Sequence, residues 1–182
     1  ISFLFINFFS HMSSANNFEL DKLDNPGYTS QGKKWSFFTD RVMGGLSKGQ
    51  ATISNIDNTP CYQMTGNVTT ENNGGFIQIR AVIEPMIQAK QYNGIYLKIY
   101  GNNNKYSLHI RTPLTLAPWQ YYSYSFIAKN EWLEIKAPFN NFEKSNFYQP
   151  KKLTSQNIKS IGLVAAFDNF YADVCLSEIG FY

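Results

Sequence analysis

Arg80, Lys98, His109 and Arg111 are the residues of this sequence best equipped for chemistry, because each falls on the polar side of an alternating segment. Over 74–83, Ile77 and Ile79 alternate with Gln78 and Arg80. Over 93–100, Ile95, Leu97 and Ile99 alternate with Tyr96, Lys98 and Tyr100. Over 105–112, Tyr106, Leu108 and Ile110 alternate with Ser107, His109 and Arg111. If these polar faces lie side by side, they make one wall carrying Arg80, Lys98, His109, Arg111, Tyr96 and Gln78. Such a wall offers flat aromatic faces and planar hydrogen-bond donors, which suit sugar rings. Its cations also suit a carboxylate or a protein partner. The wet face of any antiparallel sheet has a similar composition, so a plain solvated face stands beside these two readings.

The same inventory argues against catalysis. His11 and His109 lie far apart with no His/Cys spacing of a metal site, so no metal and no cofactor is expected. Nucleophilic catalysis needs a base with an orienting partner, and His109 is the single candidate base. Glycoside hydrolysis needs two carboxylates across a bond; Asp40, Glu71, Glu84 and Asp168 are present, but nothing pairs them. No glycine-rich loop opens a helix, which removes the nucleotide-binding readings. A net charge of +3, with isolated lysine pairs at 33–34 and 151–152, gives no nucleic-acid footprint. The chain reads as a binder and not an enzyme.

The elements that must hold such a wall are strands. The chain has 182 residues, 43% apolar and only 16% charged, enough for one domain with a full core. Fifteen Phe and twelve Tyr favour pleated, half-buried surfaces. Period-2 segments bounded by Gly, Asn, Pro and Asp predict strands at 18–20, 35–39, 48–55, 60–69, 74–83, 93–100, 105–112, 119–128, 131–136, 158–166 and 173–182. That number of short strands predicts an all-β sandwich of two antiparallel sheets. Residues 88–92 read as a brief turn, 140–152 as a longer loop with a single helical turn, and 153–158 as a short 3₁₀ connection.

The first fifteen residues read differently from 16–182, which form the expected single domain. Ile1–Phe9 is a nine-residue apolar run, too short to span a bilayer, and Ser10–Ala15 resembles a signal-peptidase site. A cleaved export signal is the leading expectation. A true start at Met12, or an N-terminal anchor, are the others. Export would place the protein outside the cytoplasm or in a periplasm; otherwise it belongs to the cytoplasm or a mitochondrial matrix. No transmembrane span is expected in the mature domain. Cys61 and Cys175, 114 positions apart, could pair if exported, but two buried free thiols are expected.

Two glycine pairs carry the most specific pattern. The first lies in Trp35-Ser-Phe-Phe-Thr-Asp40-Arg-Val-Met43-Gly44-Gly45-Leu-Ser47, the second in Glu71-Asn-Asn73-Gly74-Gly75-Phe76-Ile-Gln-Ile-Arg80. Each pair permits positive φ and so predicts a tight turn; the first could offer backbone N–H groups to a ligand, or fix a strand entry beside Trp35 and Met43. With Gly94–Gly101, Tyr106–Arg111, Glu131-Trp132, Ala137-Pro138-Phe139, Phe142 and Ile161-Gly162 following in order, residues 18–182 resemble the complex I intermediate-associated protein 30 family. The sequence departs from that family at Gly101-Asn102-Asn103-Asn104, where Gly-Asp-Gly is usual, and at Phe170-Tyr171-Ala172-Asp173. The resemblance implies a galactose-binding-like jelly roll. It also implies an assembly or chaperone-like factor that holds an intermediate of a respiratory membrane complex. The alternative is an exported carbohydrate- or ligand-binding module. The partner is accordingly a respiratory-complex intermediate or a glycan.

Overall fold

The alternating segments become strands because each has one apolar row to bury, and only a second sheet can cover so many rows at once. The computed structural model describes residues 16–182; the readings of residues 1–15 lie outside the described residues. The strands are β1 (Phe18–Asp21), β2 (Ser36–Thr39), β3 (Lys48–Ile56), β4 (Thr59–Val68), β5 (Phe76–Gln88) and β6 (Gly94–Gly101). They continue as β7 (Asn104–Arg111), β8 (Tyr122–Ala128), β9 (Leu133–Pro138), β10 (Glu143–Lys144), β11 (Asn157–Ala166) and β12 (Phe170–Phe181). One antiparallel sheet runs β3-β4-β12-β6-β9, with β1 pairing the far end of β12. The other runs β10-β8-β7-β11-β5-β2. The result is a jelly-roll sandwich of two antiparallel sheets.

The core lies between the sheets. Ile77, Ile79, Ala81 and Ile83 of β5, Leu108 and Ile110 of β7, and Ile161 and Leu163 of β11 face Met64, Leu97, Ile99, Val174 and Leu176 of the other sheet. Full burial of each branched side chain contributes roughly 1.5–3 kcal/mol. Asp21 is the one carboxylate at the β1 end of this core, accepting hydrogen bonds from Trp35 Nε1 (2.6 Å), the Tyr62 hydroxyl (2.8 Å) and Leu23 N (2.7 Å). Trp35, expected beside the first glycine pair, therefore sits at the opposite end of β2, its ring centre 5.6 Å from that of Tyr62 with the two planes tilted by 44°.

Three differences from the sequence reading have physical causes. Strand β5 runs on past Pro85, because Ile87 and Gln88 pair with Ile158 and Asn157 beyond a bulge. The 140–152 loop starts with a 3₁₀ turn at Phe139–Asn141 and contains the short β10, which pairs with the start of β8. The expectation of two free thiols is corrected: Cys61 of β4 and Cys175 of β12 form a disulfide, their Cα atoms 5.5 Å apart. Because Cys175 registers against Gln63, residues distant in sequence become diagonal neighbours on one face of adjacent strands. Sequence separation carries no information about that adjacency.

Candidate functional site

The outer face of the sheet β10-β8-β7-β11-β5-β2 carries the groove. Its floor is set by register. Arg80 of β5 lies level with Gly162 of β11, and Gly162 is level with His109 of β7. One row along, Phe38 of β2, Gln78 and Val164 line up; on the other side Val82, Ser160 and Arg111 do. Gly162 has no side chain, so the sheet is hollow between Arg80 and His109. The groove built over this floor has a volume of about 720 Å³ and includes Phe76, Trp119, Tyr121 and Phe167 in its lining. A smaller extension of about 370 Å³ continues from it past Arg80 and Arg111 to Lys159, Thr115 and Leu116. No acidic residue lines either part among the described residues.

One wall of the groove is the two glycine pairs, and Asp40 explains both. Asp40 is fully buried and leads a 3₁₀ turn, Asp40–Met43, after β2. Its carboxylate accepts from Ser47 N (3.0 Å), Ser47 Oγ (2.5 Å), Gly75 N (2.6 Å) and Phe76 N (3.3 Å). A Cβ at Gly45 would lie on the Asp40 carboxyl carbon, and one at Gly74 would stand 2.5 Å from Asp40 Oδ2. The other member of each pair bends the chain: Gly44 has φ +87° and Gly75 φ +125°. Ser47 and Asp40 thus clamp the two turns together, and Met43, Val42, Gly74 and Gly75 face the groove. Asn73 closes the short turn Glu71–Asn73 before the second pair. Gly75 O accepts from Phe167 N (3.0 Å), which adds Phe167 to the same rim.

The opposite wall is the 112–121 segment, held rigid from beneath. Thr112 Oγ1 donates to Gln156 Oε1 (2.6 Å), and Gln156 Nε2 donates to the Tyr122 hydroxyl (2.6 Å). Gln120 Oε1 accepts from Leu116 N (2.7 Å) and Ala117 N (3.0 Å). Arg111 Nη2 donates to Ala117 O (2.6 Å), tying floor to wall. Trp119 is left 64% exposed on this rim and Phe167 70% exposed on the other. Tyr121 stacks on His109 with ring centres 3.9 Å apart and planes 10° apart.

Electrostatics in the groove follow from burial and from the lack of counter-charge. Burial lowers the His109 pKa to about 4, so the ring is neutral at pH 7, and its Nε2 is buried without a hydrogen-bond partner among the described residues. Burial, and secondarily the Arg80 charge, lowers the Arg111 pKa. The Arg80 guanidinium lies 4.6 Å over the Phe38 ring. Among the described residues, no three His, Cys, Asp or Glu side chains cluster as a metal site would require.

Of the six wall residues expected from sequence, the fold brings together Arg80, Gln78, His109 and Arg111. Lys98 and Tyr96 are elsewhere: β6 pairs with β12 and β9, so both project from the outer face of the other sheet. There Lys98 lies 5.5 Å over Trp132, which itself packs on Tyr100 and donates to Ile56 O. Tyr96 sits beside Glu178; burial first, then that carboxylate, pushes its pKa up to about 12. Pro138 ends β9, and Phe139 is a core residue packed on Phe142 and Phe181. The Asn102–Asn104 departure is structural: Asn102 accepts from the Tyr106 hydroxyl (2.6 Å), and Asn103 takes φ +65° in the turn between the sheets. Tyr121 belongs to the outward row of the alternating Tyr121–Phe126 segment, whereas alternation does not mark the groove aromatics Phe38, Trp119 and Phe167. For Trp119 the available signal is the Pro118-Trp119-Gln120 run, since the strand begins at Tyr122 and not at residue 119.

Two six-stranded antiparallel sheets packed face to face make this a galactose-binding-like jelly roll, with the groove on the outer face of one sheet. The chain belongs to the Complex I intermediate-associated protein 30 family, which matches residues 24–177. No curated protein matches it. Among solved structures, it is similar to the family 11 carbohydrate-binding module of the cellulosomal cellulase Lic26A-Cel5E of Clostridium thermocellum. That likeness has a TM-score of 0.73 at 18% identity, over 93% of this chain and 95% of that one. The same organism's family 11 module in complex with a β-1,3-1,4-mixed-linked tetrasaccharide gives a TM-score of 0.70 at 17% identity, over 93% and 96%. A family 30 carbohydrate-binding module gives 0.55 at 12% identity, over 76% and 91%.

Proposed function

We propose that this protein is a non-catalytic binding domain whose groove takes a segment of an oligosaccharide chain. The observation that carries the reading is the groove's composition: aromatic faces at Phe38, Trp119, Tyr121 and Phe167 surround planar polar groups at Arg80, Gln78, His109 and Arg111. Sugar rings present C–H faces to aromatics and hydroxyls to donors, and a volume near 720 Å³ suits a few such rings. The lining holds no acidic residue among the described residues, whereas glycoside hydrolysis uses a pair of them. The mixed-linked tetrasaccharide bound by a module of the same fold supports the same ligand class. The Cys61–Cys175 disulfide supports an oxidising, extracytoplasmic location, where glycans are found.

The test is titration calorimetry of the full chain with three tetrasaccharides: β-1,3-1,4-mixed-linked glucan, galacturonan and sulfated galactan. The reading expects binding to at least one, weakened roughly tenfold or more by Trp119→Ala with an unchanged melting temperature. No Trp119-dependent binding to any of the three overturns it.

Family membership favours a second reading, in which the domain is an assembly or chaperone-like factor for a respiratory membrane complex. The apolar residues Val42, Met43 and Leu116, exposed at the groove rim, are the surface such a partner would cover. No helix among the described residues is long and apolar enough to cross a membrane. Cell fractionation with N-terminal sequencing separates the readings: a cytosolic or matrix protein that co-purifies with respiratory-complex subunits supports assembly, and an exported one supports the glycan.

A further inference from the structure

The groove has a cationic end that no acidic side chain lines among the described residues. Arg80, Arg111 and Lys159 converge on the 370 Å³ extension, together with Ser160, Thr115, Val82, Leu116 and Pro118. Ion pairs elsewhere among the described residues involve Lys22, Lys33, Lys129 and Lys136, and none involves an arginine. Arg80 rests on the Phe38 ring, and Arg111 is held by the carbonyls of Ala117 (2.6 Å) and Thr115 (3.5 Å). Both forks are therefore oriented by neutral groups, close enough that Arg80 disfavours the charge on Arg111. Two like charges held at one pocket are an unfavourable arrangement that a bound oxyanion would relieve. Guanidinium forks match the two-oxygen edge of a carboxylate or sulfate, and Lys159 adds a point charge at the open side.

We infer that the ligand of this groove is an acidic glycan, with the carboxylate or sulfate ester of one residue seated between Arg80, Arg111 and Lys159 while its neighbours stack along Trp119 and Tyr121. The inference rests on the glycan reading above and narrows it from any sugar chain to an anionic one. A uronate and a sulfated sugar present the same oxyanion chemistry, so the experiment must tell them apart.

The full chain is titrated at about 50 mM salt with the galacturonan, sulfated galactan and neutral mixed-linked tetrasaccharides. The expected result is at least roughly tenfold tighter binding of one acidic chain than of the neutral one. Galacturonan preferred identifies a carboxylate, sulfated galactan a sulfate ester. Lys159→Gln, on an exposed side chain, should cut the acidic-to-neutral affinity ratio several-fold, and Arg80→Gln should remove most of it, with Arg80→Lys restoring only part. Should Arg80→Gln fail to fold, the Lys159→Gln ratio decides alone. Neutral binding with no acidic preference overturns the inference and leaves the glycan reading standing. An acidic preference that both Gln variants leave unchanged also overturns it, as attraction to the net positive chain. Absence of binding to all three removes the glycan reading itself.

Discussion

Asp40 is the single side chain whose loss should cost this fold most per atom removed. It is fully buried, and Asp40→Ala strips the acceptor from three backbone N–H groups and one hydroxyl. Ser47 Oγ retains the Thr69 carbonyl at 3.3 Å, and the Phe76 bond, also 3.3 Å, is the weakest of the set. The Ser47 and Gly75 N–H groups are left with nothing, and each orphaned buried donor costs about 1–3 kcal/mol. A cavity the size of a carboxylate adds to that, and a water entering it subtracts, so a net loss of about 4 kcal/mol is expected. At about 2–4 °C per kcal/mol for a chain of this size, the melting temperature should fall by about 8–16 °C. Asp40→Asn keeps the volume but turns an NH₂ toward one of the donors in either orientation, and should lose about 2–4 kcal/mol. Urea denaturation at pH 7 reads both. If both variants stay within about 1 kcal/mol of wild type, the idea that Asp40 clamps the two glycine turns is wrong.

Gly74→Ala should destabilise by more than about 2 kcal/mol, because its Cβ would stand 2.5 Å from Asp40 Oδ2 and 2.8 Å from Gly45 Cα. Gly27→Ala, at φ +93° with open space around it, should lose only about 1 kcal/mol; equal losses in thermal melts would refute the packing explanation. His109 has a folded pKa near 4, below its ordinary 6.5. The unfolded chain therefore takes up a proton that the folded one refuses between those values. Stability from this group is complete above pH 6.5, falls through the window and is lost below about 4, on the order of 3 kcal/mol in all. His109→Phe should flatten that part of the stability–pH curve, and an unchanged slope would place the proton uptake elsewhere. Replacing both Cys61 and Cys175 with Ala opens a 114-residue loop and should cost about 3–5 kcal/mol in urea titrations. A double variant as stable as wild type would show that the cross-link does not constrain the unfolded chain.

Strand existence was legible because the signal is local. Ile77-Gln-Ile-Arg80 and Leu108-His-Ile-Arg111 alternate so cleanly that burial on one face fixes the other. The expected single wall failed at β6 for a related reason. Alternation says which side chains of a strand face the core, and nothing about which sheet the strand joins. Gly101–Asn103 carries the chain from one sheet to the other, so Lys98 and His109, eleven positions apart and equally outward by pattern, face solvent on opposite sides of the sandwich. The disulfide escaped for the same cause, since β4 and β12 become neighbours only through long-range pairing.

The glycine pairs were legible as turns, but their purpose was not, and the difference bears on the site. Read alone, Gly44 and Gly75 need positive φ, which any tight turn explains. Only in the fold does it emerge that Gly45 and Gly74 are required by a buried carboxylate thirty-odd residues from one of them, and that the clamp they form sets the height of the Met43 and Phe167 rim. A groove whose wall is fixed by Asp40 beneath and whose opposite wall is fixed by Gln156 and Gln120 has little left to reorganise when a ligand arrives. Pre-organisation of that kind predicts that Asp40→Asn weakens binding at temperatures where it remains folded, although Asp40 itself faces away from the ligand. Equal affinity in the two proteins would mean that the rim is set by contacts other than the clamp.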